Sequence, residues 1–462
     1  MKVAFLVPSL RLSGGLNVVM EHGSRLARDH GFDITMIVTH HQGEAPWPYP
    51  GLGDVTVADL DDVADEPFDL AIATWWDTVA RLARVSAKRV AYFVQSIEDR
   101  FYDPLDPQAA LASLTYRLGL PVVTEATWMA ELFRASQPDV ACHYVRNGVN
   151  KDIFPEQVEV EPRRDGPLRV LIEGNVDDRI KGVPEAFEAI QRMSEPVEVT
   201  LVSAKGGSLP GASIVGPLDQ RELSTLMSET DVVLKLSRIE GMSGPPLEAF
   251  HRGATCVVTP MTGHDEYVQH GWNGLVTGWD DPIGTARQLD LLARDRRLLH
   301  FLRTNAAATA RAWPGWDQAA TMMAGALGSI AAGPAVEFAT LAPILSEARF
   351  RISRDARVLH GFKVKTQADA AHIAKLDQLV ADTAASAHEA RTELAAAQHL
   401  AHERDEALAR LRTAADALDR LDGSRWLRLL SVFERPIRRR RPGLGSVQSR
   451  IAAIRDDVDA GI

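Results

Sequence analysis

The sequence predicts an α/β protein: two doubly wound domains in tandem, then a helical extension. Three observations carry this. Apolar runs of strand length alternate with amphipathic helical patterns from Val3 to about residue 330. The polar, Pro-containing stretch EQVEVEPRRDGP interrupts the alternation and reads as a linker, after which a second α/β unit opens at Leu168. From Thr366 a helical pattern runs with no Pro or Gly until Gly423. The expected boundaries are residues 1–155 and 165–315 for the two domains, 316–330 for a last helix, 366–422 for a long helix or coiled coil, and 424–441 for a basic amphipathic segment.

In chain order, Val3–Val7 is a buried strand ending at Pro8, followed by the loop LRLSGG, an amphipathic helix over Asn17–Arg28 and the strand GFDITMIV. Gly14-Gly15 in that loop is not a G-x-G-x-x-G fingerprint, so a nicotinamide or flavin reading is weak. Strands follow at Asp69–Ala73, Arg89–Val94 and Pro121–Thr124. Trp75-Trp76 either stacks on a sugar ring or belongs to the core. Gln95, Glu98, Arg100 and Tyr102 leave the carboxyl end of a buried strand, over a cleft, unless they are plain loop residues. Asn147-Gly148 makes a tight turn at the exit of the first domain.

In the second domain, LRVLIEGN is a strand and Lys181-Gly182 precedes the helix VPEAFEAIQRM. VEVTLVSAK and ASIVG are strands and DQRELSTLMSET a helix. After the strand ATCVVTP, Gly263-His264-Asp265-Glu266 stands before an expected helix. Two more helices run to Trp313, Pro314-Gly315 breaks them, and WDQAATMMAGALGSI is the last.

With 462 residues the chain is long enough for two full cores, and its 45% hydrophobic content is that of a globular protein. A net charge of -11 argues against nucleic acid as a partner. Cys142 and Cys256 are far apart and lack metal-ligand spacing, which suggests reduced thiols. No apolar run approaches the ~20 residues that span a bilayer. The opening MKVAFLVPSL reads as a first strand rather than a signal peptide, so the expected location is the cytoplasm.

The most informative stretch is DVVLKLSRIEGMSGPPLEAF, residues 231–250. It reads as a buried strand, a Gly/Pro-rich turn and a helix opening at Pro245-Pro246. Glu240 and Glu248 bracket the turn with seven residues between them, and Gly241 and Gly244 let the backbone approach a ligand. A helix start at the carboxyl end of a strand favours phosphate. The pattern therefore points to a nucleotide-phosphate pocket beside two carboxylates; the bland alternative is a strand–turn–helix with two solvated glutamates.

Glu240-Gly241, Pro245 and Glu248, with LEAFHRGATCVVTP and MTGHDEYVQHGWNGLV after them, resemble the E-x7-E motif of retaining, family-four-type glycosyltransferases of the GT-B fold. AYFVQSIEDRFYD is similar to a stretch in bacterial polysaccharide rhamnosyltransferases. The resemblance implies two Rossmann-like domains facing a cleft, with residues 316–330 returning to the first. It implies transfer of a sugar, with a deoxyhexose such as rhamnose as one candidate, from a nucleotide-diphosphate donor to a growing polysaccharide or lipid-linked glycan, with no cofactor and no metal. By it, Glu240, Lys181 and Arg179 are catalytic; Glu248, Gly241, Ser243, Gly244, Gly14, Gly15 and Glu266 bind donor; Gln95, Glu98 and Asn147 face the acceptor. The chain departs from the pattern in three places: Ser243-Gly244 shifts the usual glycine, Gln95 replaces a common His, and Asn175 stands near the usual Arg. A non-catalytic sugar-binding or scaffold protein on a degenerate GT-B fold is the alternative that these losses support, and a nucleotide-sugar epimerase of similar architecture is a second.

In the extension, Ile373, Val380, Leu394 and Leu408 fall at heptad a positions and Leu376, Leu411 and Leu418 at d, with Arg404 spoiling an alanine-rich seam. The expectation is a weak coiled coil that pairs two copies, or a solvated helix. GSRWLRLLSVFERPIRRRRPG places Trp426 and Phe433 among arginines and suits an anionic membrane surface or a protein partner.

Overall fold

The computed structural model describes residues 1–40, 47–63, 65–104, 106–157, 159–162, 166–206, 208–336, 338, 350, 365–366, 368–376, 402–413 and 416. The first half runs β1 (Lys2–Val7), α1 (Gly14–His30), β2 (Asp33–Val38), β3 (Thr56–Asp59), β4 (Phe68–Ala73), α2 (Trp76–Val79), β5 (Ala87–Val94), α3 (Pro107–Thr115), β6 (Val122–Thr124), α4 (Thr127–Ser136) and β7 (Cys142–Tyr144). The second runs β8 (Leu168–Glu173), α5 (Val183–Gln191), β9 (Val197–Val202), β10 (Ser213–Val215), α6 (Gln220–Glu229), β11 (Val232–Lys235), α7 (Gly244–His251), β12 (Thr255–Val258), β13 (Leu275–Val276), α8 (Pro282–Arg294), α9 (Arg296–Ala312) and α10 (Trp316–Ala332).

Each half is one parallel sheet. The orders are β3-β2-β1-β4-β5-β6-β7 and β10-β9-β8-β11-β12-β13. In both, the strand order reverses beside the first strand, between β1 and β4 and between β8 and β11. A crevice opens there at the carboxyl ends of a doubly wound sheet. Helices cover both faces, so the central strands are apolar throughout rather than alternating. Val3, Phe5 and Val7 pack with Val19, Met20 and Leu26 of α1; Val170, Ile172, Val232 and Leu234 pack with Val183, Ala186 and Ile190 of α5. The opposite face of the second sheet, through Leu171, Val233 and Val258, packs on Leu247 and Phe250 of α7.

The chain returns from the second sheet to the first. Met323, Ala326, Leu327 and Ile330 of α10 lie in the first sheet's core. At the crossing, Val149 N–H donates to Pro314 O at 3.1 Å and Trp313 Nε1 to Asn147 O at 2.9 Å.

Two details differ from the sequence reading. α1 starts earlier than Asn17, because Ser13 caps it by accepting from Leu16 N–H at 3.1 Å, and it ends at Gly31 with φ of 68°. No helix follows Gly263–Glu266. Asn273 holds that segment as a loop, donating to Tyr267 O and accepting from Gln269 N–H, each at 2.7 Å, and the chain then enters the short edge strand β13.

These elements, except α3, form one compact unit with residues 1–97 and 119–338; residues 98–118 and 339–462 form a second. In the second unit, Asp106 caps α3 by accepting from Gln108 N–H at 2.9 Å. Residues 365–366, 368–376, 402–413 and 416 are helical, with Leu376 and Leu411 buried. The rest of the predicted long helix and the whole basic segment 424–441 lie outside the described residues. Among the described residues, no helix is long and apolar enough to cross a membrane.

The return of α10 gives a stability prediction. Leu327→Ala leaves a cavity under the first sheet and should cost about 2–5 kcal/mol, read as a lower denaturation midpoint. A change within about 0.5 kcal/mol, as for a surface site, would mean that α10 is not part of that core.

Candidate active site

β8 and β11 are neighbours at the reversal point of the second sheet, and the loops that leave them carry Lys181 and Glu240. Gly182 closes the first loop with φ of 65°, and a Cβ there would overlap the carbonyl oxygen of Leu236 at the exit of β11. Arg238 N–H donates to Ile180 O at 2.8 Å. The two loops are stitched backbone to backbone, which sets Lys181 Nζ 3.0 and 3.2 Å from the Glu240 carboxylate oxygens. Lys235, 1% exposed, lies behind them: its Nζ donates to the Glu173 carboxylate and lies 3.5 Å from Glu240 Oε1. Burial pushes the Glu240 carboxyl up, but Lys181 and Lys235 outweigh it and hold it down at about 2. Burial lowers Lys181, and Glu240 and Glu173 raise it to a net position above its ordinary value.

The turn after Glu240 is held at three carbonyls by side chains from α4 and from the β12–β13 connection. Thr262 Oγ1 donates to Glu240 O at 2.6 Å, Trp128 Nε1 to Gly241 O at 2.9 Å, and the Tyr267 hydroxyl to Ser243 O at 2.6 Å. Trp128 comes from the first sheet's side. So does Gln95, whose carbonyl oxygen a Cβ on Gly241 would overlap. Glu125, 4% exposed, accepts from Asn147 Nδ2 at 2.8 Å and from the Met242 backbone. Burial pushes the Glu125 carboxyl up, these bonds offset it in part, and it settles at about 8. α7 then starts at Gly244 with Ser243 as N-cap. Pro245 and Pro246 remove two of the N–H groups that a helix start normally offers to an anion. The cations at this site are therefore the lysines more than the helix end.

Residues 167–295 match the family described as glycosyl transferases group 1. The solved structures similar to this chain share its fold. Anabaena HepE in complex with UDP and glucose is 15% identical over 71% of this chain and 100% of its own, with a TM-score of 0.57. Sucrose-phosphate synthase of Thermosynechococcus elongatus is 15% identical over 71% and 99%, with 0.60. WaaG, a glycosyltransferase involved in lipopolysaccharide biosynthesis, is 14% identical over 72% and 100%, with 0.53. These likenesses place the two sheets in the GT-B fold of glycosyltransferases. A search of curated proteins found no sequence match.

Of the residues singled out in the sequence, Lys181, Glu240, Gly241, Ser243, Gly244 and Glu248 lie together. Glu248 is raised to about 7 by burial, with the charges of Glu173 and of Glu21 on α1 adding to it. Gly14 and Gly15 form the first residues of α1, and a Cβ on Gly15 would lie 3.3 Å from Gln95 Oε1. Arg179 is exposed. Asn175, near where the resemblance expects an arginine, accepts from Lys205 N–H at 3.0 Å and Ser203 Oγ at 3.2 Å. Glu266 binds the Thr127 backbone N–H and hydroxyl, and the Tyr144 hydroxyl at 3.0 Å, so its carboxylate joins the two sheets' sides. Asn147 is buried at the chain crossing. Glu98 belongs to the second unit, where its N–H donates to the Tyr116 hydroxyl at 2.6 Å. Trp76 is in the core. Among the described residues, no group of three or more His, Cys, Asp or Glu is placed to hold a metal ion.

Lys235, Glu125, Trp128 and Tyr267 were not singled out in the sequence. The signal for Lys235 was there: a lysine ending an otherwise apolar central strand must be buried with a partner. The other three carry no local signal, because their partners are 22 or more residues away.

The raised Glu125 carboxyl has a consequence for stability. Between about 4.5 and 8 the folded chain holds a proton there that the unfolded chain has released. This contribution to stability is full below 4.5 and is lost as pH rises through 8. Glu125→Gln removes the titration, so at pH 9 the variant should be more stable than the parent, by an amount on the order of a few kcal/mol, and near pH 5 it should not. Melting curves at both pH values check this; an equal offset at both would contradict it.

Proposed function

We propose that the chain is a retaining glycosyltransferase that moves a sugar from a nucleotide-diphosphate donor to a glycan acceptor. The observation that carries the reading is the Lys181–Glu240 pair at the reversal point of the second sheet, with Glu248 on the next turn of backbone. In this reading Lys181 stabilises the departing diphosphate, aided by Arg179 from the loop edge. Charge grows on that group as the glycosidic bond breaks, and a cation preset in a partly water-excluded site acts strongly on it. Glu240 orients the transferred sugar and offsets the positive charge at its anomeric carbon. Glu248 accepts hydrogen bonds from the ribose hydroxyls. Gly14, Gly15, Gly241, Ser243 and Gly244 let backbone approach the donor, with Glu266 at its edge and Gln95 and Asn147 on the acceptor side. No metal is required where lysines carry the countercharge.

The comparisons support the class. The GT-B neighbours include proteins solved with UDP and with UDP-glucose, and one involved in lipopolysaccharide biosynthesis. By analogy we assign a nucleotide-sugar donor, a deoxyhexose such as rhamnose being one candidate for the sugar, and a cell-surface polysaccharide or lipid-linked acceptor. The matching placement is the cytoplasmic face of a membrane, with residues 424–441 on anionic lipid and the C-terminal helix pairing two copies.

A nucleotide-sugar panel tests the reading: purified protein should release nucleoside diphosphate from one donor, and from none if the fold is only a scaffold. With that donor, Glu240→Ala should cut kcat by about 10²–10³ without unfolding the chain, and near-parental turnover would remove Glu240 from the chemistry. Because the ionised form of Glu248 accepts from ribose, kcat/KM for the donor should fall as pH drops through about 7. Glu248→Gln should erase that limb and raise the donor KM. A limb that persists in Glu248→Gln belongs to another group.

A further inference from the structure

Among the described residues, lysine side chains lie at or near the surface with one exception. Lys235 is among the largest fully buried side chains. It ends β11, which pairs with β8 on one side and β12 on the other, and only 1% of its side chain is exposed. A buried ammonium persists only when paired and hydrogen-bonded. Its Nζ donates to the Glu173 carboxylate and to Glu173 O at 3.3 Å, and lies 3.5 Å from Glu240 Oε1.

Lys181 differs. It contacts both oxygens of Glu240, yet 27% of its side chain is exposed against 1% for Lys235. Of the two lysines on Glu240, one is partly exposed and the other is buried. A diphosphate arriving there can draw Lys181 away, which would leave Glu240, 13% exposed, without its nearer partner. The other charged or titratable groups around Glu240 do not replace it: Glu173 and Glu125 are carboxyls and Tyr267 is a buried phenol.

We infer that Lys235 is a positioning residue: it carries the countercharge of Glu240 when Lys181 turns to the donor diphosphate. This rests on the glycosyltransferase reading for the identity of the ligand. The lysine-and-carboxylate arrangement stands without it. Lys235 touches neither donor nor acceptor; it keeps Glu240 anionic and in place through the step in which Lys181 is engaged elsewhere.

The test uses the full chain and carboxyl 13C NMR of Glu240, with the resonance assigned by its loss in Glu240→Gln. Lys181→Met mimics departure of the nearer lysine. Glu240 should remain ionised at pH 7 in Lys181→Met, and adding Lys235→Met should raise its titration midpoint by about one unit or more. Coincident midpoints would overturn the inference. If the double variant does not fold, Lys181→Met alone decides: Glu240 ionised at pH 7 supports it and Glu240 neutral at pH 7 overturns it. Where the donor panel yields turnover, Lys235→Met should lose about tenfold or more in kcat with little change in donor KM, and Lys235→Arg should recover part of that loss. A change confined to KM would overturn the positioning role. Failure of the glycosyltransferase reading would look different: no UDP binding and no turnover by the parent chain, with the Glu240 titrations as stated.

Discussion

A carboxylate placed where β11 gives way to α7 is costly to keep ionised unless cations stand beside it. Lys181 and Lys235 supply them, and much of the local backbone is arranged so that they can. Gly182 exists at its left-handed φ because the Lys181 loop must press against the Leu236 carbonyl. Without that approach Lys181 could not contact both Glu240 oxygens. Lys235 in turn requires the short strand β11 to end in a charge, and Glu173 at the end of β8 is the partner that makes this tolerable.

The same carboxylate is tied to the other sheet. The turn that follows it is bonded at Gly241 by Trp128 and at Met242 by Glu125, and the Gln95 carbonyl packs closely against Gly241. Glu266, from the loop after β12, reaches Thr127 and Tyr144. Each of these bonds joins a loop of the second sheet to residues just after β6 or at the end of β7 of the first. A separation of the two sheets' sides would have to break them, and it would disturb the backbone one residue from Glu240. Geometry at the carboxylate and the approach of the two halves are thus one mechanical problem, with Gly241 as the residue whose missing side chain lets them meet.

Much of this was legible in the sequence because it is local. Strand-length apolar runs and the strand–turn–helix around Glu240 follow from periodicity and from where Gly and Pro fall. Lys181 was singled out through the family resemblance, and its place in a strand-to-helix loop over a parallel sheet added weight to it. What depends on distant partners was not legible. Glu266 looks like a donor ligand from its loop, and only the fold shows Thr127 and Tyr144 in contact with it. The expected helix after Glu266 gave way to Asn273, whose side chain satisfies the loop's own backbone. The edge strands β3 and β13 are too short for a pattern to register. Pro245 and Pro246 were read as helix starters; that they also strip the helix end of donors matters only once the lysines are seen beside it.

The most direct measurement is a crystal structure of the full chain soaked with UDP. The account places the diphosphate within hydrogen-bond distance of Lys181 Nζ and the ribose hydroxyls on Glu248, with Lys235 still against Glu240. A nucleotide bound elsewhere, or bound here with its phosphates away from Lys181 and its ribose away from Glu248, would contradict it.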